Sequence, residues 1–304
     1  MNLNGDLNYE KKALKAILGS DDIIFFDFET GGNSALCVYV DSITDKETLG
    51  LEVIAPLSKN EDDKPISSLA KKINLANVKT EAKLSEIVDD VLSGHAAILV
   101  EGKKKAICVD LKKFEVRAIS EPPTGLAVRG PRNGFTESIK SNLSLIRRYL
   151  RSSDLKVEMF EKGRYTKTAI AFMYIDGIAP PQLIEKVRKK IEAINVDGIP
   201  DSSYVSKLLN ERKTSLFKQV GSTERPDVLI ERMLEGRVGV IVDGSPFCLS
   251  LPYLLIEDFQ TAEDYYISPY RANLVRMLRV ISILFSILLP AIFVAAQLFH
   301  LQII

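Results

Sequence analysis

Two related α/β subdomains in tandem, followed by one transmembrane helix, are what this 304-residue sequence predicts. A weak internal repeat gives the tandem, and the order of strand-like and helical runs within each copy gives the α/β character. An uncharged apolar run at residues 280–301 gives the membrane helix. The resulting division is an N-terminal segment at 1–20, a first subdomain at 21–120 and a connector with an amphipathic helix at 121–151. A second subdomain follows at 152–270 and a membrane anchor helix at 271–304.

Composition bounds the reading. At 46% hydrophobic and 26% charged the chain is ordinary globular material, long enough to bury a sizeable core. Lys+Arg and Asp+Glu balance at 40 each, so no net field holds a polyanion and nucleic acid is not an expected partner. Cys37, Cys108 and Cys248 lie inside apolar runs, which fits buried thiols in a reducing compartment better than a disulfide framework. With only His95 and His300 a histidine-rich metal site is not expected, nor is a cofactor. The opening MNLNGDLNYEKKALKAIL lacks the unbroken apolar stretch of a secretory signal, so the body is expected to stay on the cytoplasmic side.

The repeat sets the architecture. Phe28-Glu29-Thr30-Gly31 recurs as Phe160-Glu161-Lys162-Gly163, and each is followed by a strand-like run, at 38–43 and 173–178. Further on, VLSGHAAILVEG (91–102) recurs as MLEGRVGVIVDG (233–244), with Gly94 matching Gly236 and Gly102 matching Gly244. Each copy therefore reads strand, strand, helical region, then a helix stop that feeds a hairpin. Glycine serves as the stop because it takes the left-handed conformation without a Cβ clash. Asp243-Gly244 between two apolar runs predicts a tight turn with positive φ at both central residues. Glu101-Gly102 with Lys103-Lys104-Lys105 predicts a longer loop with a solvated basic tip.

Between the copies, Glu121-Pro122-Pro123-Thr124-Gly125 interrupts any regular element. A helix follows Arg129-Gly130-Pro131-Arg132 and carries Phe135, Ile139, Leu143, Ile146 and Leu150 as a single apolar stripe. In the second copy an amphipathic helix begins after Pro180-Pro181, runs through Leu183, Ile184, Val187, Ile191 and Ile194, and ends near Asp197-Gly198. The run 280–301 spans roughly 33 Å as a helix, enough for a hydrocarbon core. Its apolar side chains point in all directions, as a lipid-facing helix requires. Arg271, Arg276 and Arg279 precede it and by the positive-inside rule put the body in the cytoplasm. Pro290 predicts a kink and neighbouring membrane helices to satisfy the freed carbonyl. The chain is expected to be either single-pass or continued by more membrane segments after Ile304.

Catalytic apparatus is sparse. Asp27-Phe28-Glu29 after an apolar run puts two carboxylates on one strand face, the start of a metal-dependent nuclease site, but the later carboxylates and the water-orienting His or Tyr are missing at the needed spacing. No Walker loop, nucleophile elbow, H-E-x-x-H helix or paired C-x-x-C is present. No enzyme and no metal site are expected. The distinctive polar runs are Arg129-Gly130-Pro131-Arg132, Thr223-Glu224-Arg225-Pro226-Asp227 and Glu263-Asp264-Tyr265-Tyr266. Ser222 or Thr223 is placed to cap a helix starting at Pro226, with Glu224 and Asp227 at its positive end. Arg129, Arg132 and Arg225 are candidates to grip carboxylates at the joint between rigid parts. Thr223, Glu224, Asp227, Asp264 and Tyr265 complete the candidate junction set. Any ligand-binding residues stay unknown.

The segments RGPRNGFTESIKSNLSLIRRYLR, AIAFMYIDGIAP, STERPD, LEGRVGVIVDGSPFCLSLP and EDYY, in that order ahead of a membrane helix, resemble the A subunit of GerA-type bacterial spore germination receptors. The resemblance implies a soluble region of two α/β subdomains followed by membrane helices in the inner spore membrane. It implies nutrient-triggered germination, B-type and C-type receptor subunits as partners, and a homo-oligomer of A subunits that forms an ion-release channel. The alternatives are a cytoplasmic ligand-sensing module of an unrelated membrane receptor, with a ligand in the cleft between the copies, and a membrane-tethered metal-dependent nuclease needing Asp27.

Overall fold

Side chains alternate across each central strand, and here both alternating sets are apolar, so both faces of each sheet must be covered by helices. The computed structural model describes residues 2–60, 62–113, 131, 133–211, 215, 217–259, 264 and 267–299. The first copy comprises α1 (Leu7–Leu18), β1 (Ile23–Thr30), β2 (Asn33–Val40), α2 (Lys46–Thr48), a π-helical turn (Leu49–Ile54), α3 (Ala55–Ser58) and α4 (Ile66–Ala70). It is completed by β3 (Val78–Glu81), α5 (Leu84–Leu92), β4 (His95–Val100) and β5 (Ala106–Asp110). The second comprises α6 (Ile139–Tyr149), β6 (Leu155–Lys162), β7 (Thr168–Ile175), α7 (Pro181–Glu192), α8 (Ser202–Leu209), β8 (Gly221–Thr223), α9 (Pro226–Leu234), β9 (Val238–Val242) and β10 (Cys248–Leu251). A 3-10 turn (Leu255–Phe259) then leads to α10 (Pro269–Phe299).

The strands form two five-stranded antiparallel sheets, ordered β1-β2-β4-β5-β3 and β6-β7-β9-β10-β8, so the two copies agree strand for strand. The repeat read from the sequence is therefore a repeat of fold. In the first copy Leu36, Val38 and Leu99 point to α1 and α5, while Ala35, Cys37 and Ile98 point to the helices from the π-helical turn to α4. In the second, Ala171, Met173 and Ile241 pack with α6 and α9, and Ile170, Phe172 and Val240 with α7 and α8. Gly94 (φ 95°) and Gly236 (φ 92°) follow α5 and α9 and feed the β4–β5 and β9–β10 hairpins, as predicted. The helix begun at Pro181 ends at Glu192, short of Asp197-Gly198, but Ile194 remains buried after it. All three cysteines are free and buried.

One turn differs from expectation. Of Asp243 and Gly244 only the glycine has positive φ (83°), and likewise only Gly102 (φ 75°) of Glu101-Gly102. The reason lies outside the hairpins. The Asp243 carboxylate accepts the N–H of Ile139 (3.1 Å), the first residue of α6, and the Gly244 N–H donates to the Glu137 carbonyl (2.8 Å). In the first copy Glu101 accepts the N–H of Leu7 (3.0 Å), the first residue of α1, and Gly102 N–H donates to the Gly5 carbonyl (2.9 Å). Each acid-glycine pair thus satisfies an orphan donor at the start of its own copy's first helix. The acid is held by that contact in place of the left-handed geometry.

The copies meet along the outer edge of β6. The Asp21 N–H donates to the Val157 carbonyl (2.9 Å), the Val157 N–H to Ser20 Oγ (2.9 Å) and the Met159 N–H to the Asp21 carboxylate (2.8 Å). Beside this seam Arg147 of α6 is fully buried and grips Asp22 with Nε and Nη2 at 2.7 and 2.8 Å. Its remaining donors reach Ser20 Oγ (3.1 Å) and the carbonyls of Ser152 and Leu155 (3.2 Å each). Removing one partner of such a pair leaves a charge without water or counter-ion. Arg147→Leu is expected to destabilise the body by about 3–5 kcal/mol in chemical denaturation, with much of the loss recovered when Asp22→Asn is added.

Candidate functional site: ion pairs at the joints of the chain

The TERPD corner is built by a proline. Pro226 opens α9 at a position where a missing N–H costs nothing, and it holds Arg225 extended at φ −107°. From there the Arg225 side chain turns back onto Asp227, with Nε to Oδ1 at 3.1 Å and Nη2 to Oδ2 at 2.6 Å, and Nη2 also reaches the Pro131 carbonyl (3.2 Å). Both side chains are buried. The Glu224 carbonyl accepts the N–H of Phe135 (2.7 Å), so this corner holds the stretch of chain that leads into α6. Thr223 does not cap α9 as expected. Its hydroxyl accepts the N–H of Arg225 (3.1 Å), one residue before the helix, and α9 starts without a side-chain cap.

Two further clusters involve the 3-10 turn and the head of α10. Glu257, in the 3-10 turn, is 2.6 Å from Arg237 Nη1 and 2.8 Å from Arg232 Nη2, and its Oε1 also takes the N–H of Leu254 (2.7 Å). Its side chain is only 2% exposed. With solvent nearly excluded, the two guanidinium charges act on this carboxylate with little screening. The arginines also bond elsewhere, Arg232 to Ser250 Oγ (2.8 Å) and Arg237 to Glu235 (2.7 Å). Asp264, 1% exposed, takes Arg279 at 2.8 and 3.2 Å and Arg276 at 3.4 Å. Arg279 also donates to the Phe259 carbonyl (3.0 Å).

The structure thus brings Thr223, Glu224, Arg225 and Asp227 together with Pro131 and Phe135, and puts Asp264 in a separate cluster with α10. Arg129, Arg132 and Tyr265 lie outside the described residues. Sequence reasoning missed Asp22, Arg147, Arg232, Arg237 and Glu257. A signal existed for one of them, since Arg147 stands four residues after Leu143 and so falls on the apolar stripe of α6.

Two hollows accompany these joints. One of about 270 Å³ is lined by Asp41, Thr44, Asp45, Lys46, Lys113 and, from α6, Lys140. The buried Thr44 hydroxyl there has no hydrogen-bond partner among the described residues. A wider groove of about 610 Å³ includes Asp27, Glu29 and Glu101. Asp27 is ion-paired with Lys11 at 2.6 Å, and no group of three or more His, Cys, Asp or Glu among the described residues is arranged to hold a metal. Burial pushes the Cys37 thiol up to about 12 and raises that of Cys248 as well, so neither is poised as a nucleophile.

Helix α10 carries the remaining signal. Its stretch 269–298 has a mean hydropathy of 2.4 in its most apolar window, none of which is buried, and the helix runs on through Pro290. A duplicated α/β body followed by an exposed apolar helix of this length, with Asp264 holding the head of that helix, has the make-up of a membrane-attached protein. The GerA family, described as Bacillus/Clostridium GerA spore germination protein, matches residues 10–304, and the chain belongs to it. Spore germination protein KA of Bacillus subtilis is 36% identical over 297 residues, covering 95% of this chain and 55% of that protein. Spore germination protein B1 of the same species is 33% identical over 306 residues, covering 99% and 63%. The chain therefore spans less than two thirds of the length of either relative. The crystal structure of the N-terminal domain of the A subunit of the Bacillus megaterium spore germinant receptor GerK3 superposes with a TM-score of 0.65 at 29% identity, covering 84% of this chain and 98% of that one. Glu257→Ala, which leaves two arginines facing each other in a buried place, is expected to lower stability by about 3–5 kcal/mol. Limited proteolysis checks it, with cutting between β10 and α10 expected to accelerate before the sheets open.

Proposed function

We propose that this chain is the body and adjoining membrane segment of a germinant receptor A subunit, acting without catalysis to pass a nutrient signal from the α/β copies to the membrane. The observation that carries this reading is the pair of anchors at the base of the body, Glu257 on Arg232 and Arg237 and Asp264 on Arg276 and Arg279. A rearrangement of the second sheet moves Glu257, and a displacement of Asp264 moves the head of α10. The junction set of Arg129, Arg132, Thr223, Glu224, Arg225, Asp227, Asp264 and Tyr265 belongs to the same reading, with the TERPD corner fastening the chain that enters α6. B-type and C-type subunits and further A subunits are the proposed partners, and an ion-release channel built by the A subunits is the proposed output. The arginines ahead of the apolar run support a body on the cytoplasmic, spore-core side.

Asp264→Asn keeps the shape but removes the charge that holds two arginines. Coupling between distant sites is typically about 1–3 kcal/mol, so spores carrying this variant are expected to need roughly tenfold more nutrient for the same response. Immunoblotting of the spore membrane checks that the subunit is present, and an unchanged dose response removes the coupling role. The sensing alternative has one observation in its favour, the polar hollow between the copies with its unpartnered Thr44 hydroxyl. If a small polar nutrient sits there, the full chain in detergent gains a saturable rise in unfolding temperature with ligand concentration, and Thr44→Val with Lys140→Glu abolishes it.

A further inference from the structure

We propose that the body touches the bilayer at a second place, through Phe217 and Leu254, with Lys218 at the lipid phosphates. This rests on the reading of α10 as a membrane span and goes beyond it, since it makes a loop of the second copy a membrane-surface element. Phe217 is 68% exposed and Leu254 is 46% exposed. A scattered surface apolar residue needs no explanation by itself. Position is what distinguishes these two. The Gln219 carbonyl accepts the Tyr253 N–H (3.0 Å), and Lys218 Nζ lies 3.6 Å from the Asp258 carboxylate, which also accepts the Tyr253 hydroxyl (2.8 Å). Lys218 and Gln219 therefore lie against Tyr253 and Asp258, with Phe217 next in the chain. The next residue, Phe259, gives its carbonyl to Arg279, the last charged side chain before the apolar run. The loop is connected through three short links to the level at which α10 becomes apolar.

An aromatic ring, a leucine and a lysine linked to that level match the make-up of the interfacial layer of a membrane. Aromatic and aliphatic groups sit there at the acyl boundary, and a lysine stem lies along apolar material while its ammonium meets anionic headgroups. The Lys218 side chain is 69% exposed despite its contact with Asp258, so its charge is open to a phosphate. Both edges of the second sheet bear an exposed aromatic near them. Tyr165, 72% exposed, lies in the β6–β7 hairpin at the edge opposite β8, about 19 Å away across four strand spacings. It serves as the control.

The chain contains no tryptophan, so a single introduced one reports its own surroundings. Phe217→Trp, Tyr165→Trp and, within α10, Phe285→Trp are to be made in the full chain and reconstituted into phosphatidylcholine–phosphatidylglycerol vesicles with brominated acyl chains. Phe217→Trp is expected to emit to the blue of Tyr165→Trp and to be quenched about twofold by lipids brominated near the glycerol, because interfacial side chains reach about 5–10 Å into that layer. Phe285→Trp is expected to be quenched by lipids brominated deeper in the chain. A solvent-like, unquenched Phe217→Trp alongside a quenched Phe285→Trp overturns the second contact and leaves the span standing. Blue-shifted emission without bromolipid quenching also overturns it, because protein then covers the ring. An unquenched Phe285→Trp removes the span itself, and the contact with it.

Discussion

With no water reaching it, the guanidinium of Arg147 must find every acceptor inside the protein. The chain supplies Asp22 and Ser20 from one copy and the carbonyls of Ser152 and Leu155 from the other. The planar fork accepts only a narrow range of carboxylate directions, so a small slip of one copy against its neighbour loses several bonds at once. Asp22 directly precedes β1 and Arg147 lies in the last turn of α6, so this contact fixes the first strand of one sheet against the leading helix of the other. Toward the membrane the connections become softer. Arg276 and Arg279 are 27% and 31% exposed where they hold Asp264, and solvent screens part of their attraction. The molecule is stiff between its copies and more compliant where it meets the span.

Much of the architecture was legible because the duplicated signals are local. Glycine stops, paired apolar strands and an uncharged terminal helix each follow from steric or solvation rules that operate within a dozen residues. The equivalence of α1 and α6 was not legible, since nothing in the helix sequences aligns. The signal lay in the far hairpins, where Glu101-Gly102 and Asp243-Gly244 each reach back to a helix start more than ninety residues upstream in their own copy. The longest-range ion pair was hidden for a related reason. Arg225, conspicuous beside a proline, bonds Asp227 two residues on and also reaches the Pro131 carbonyl. The arginine that spans the copies sits in the last turn of a helix, and its partner is 125 residues away.

Helix α10 is longer than a bilayer requires. Its 31 residues amount to about 46 Å, and the apolar run begins only after Arg279. The first turns therefore lie outside the hydrocarbon, held to the body by Asp264 and by the Phe259 carbonyl. A continuous helix transmits rotation and tilt along its axis, so a displacement of those outer turns reaches the segment in lipid with no intervening hinge. Pro290 is the one place in the apolar run where a backbone donor is missing and bending is cheapest.

The bond from each closing hairpin to the start of its own copy has a consequence for how such a chain could arise. Gly5 and Gly102 touch, and so do Glu137 and Gly244, so each unit's opening segment is fastened to the turn between its own last two strands. A module whose first and last elements are tied to each other can be copied head to tail in a gene without disturbing its interior. The two halves then remain free to diverge in sequence and in what they touch.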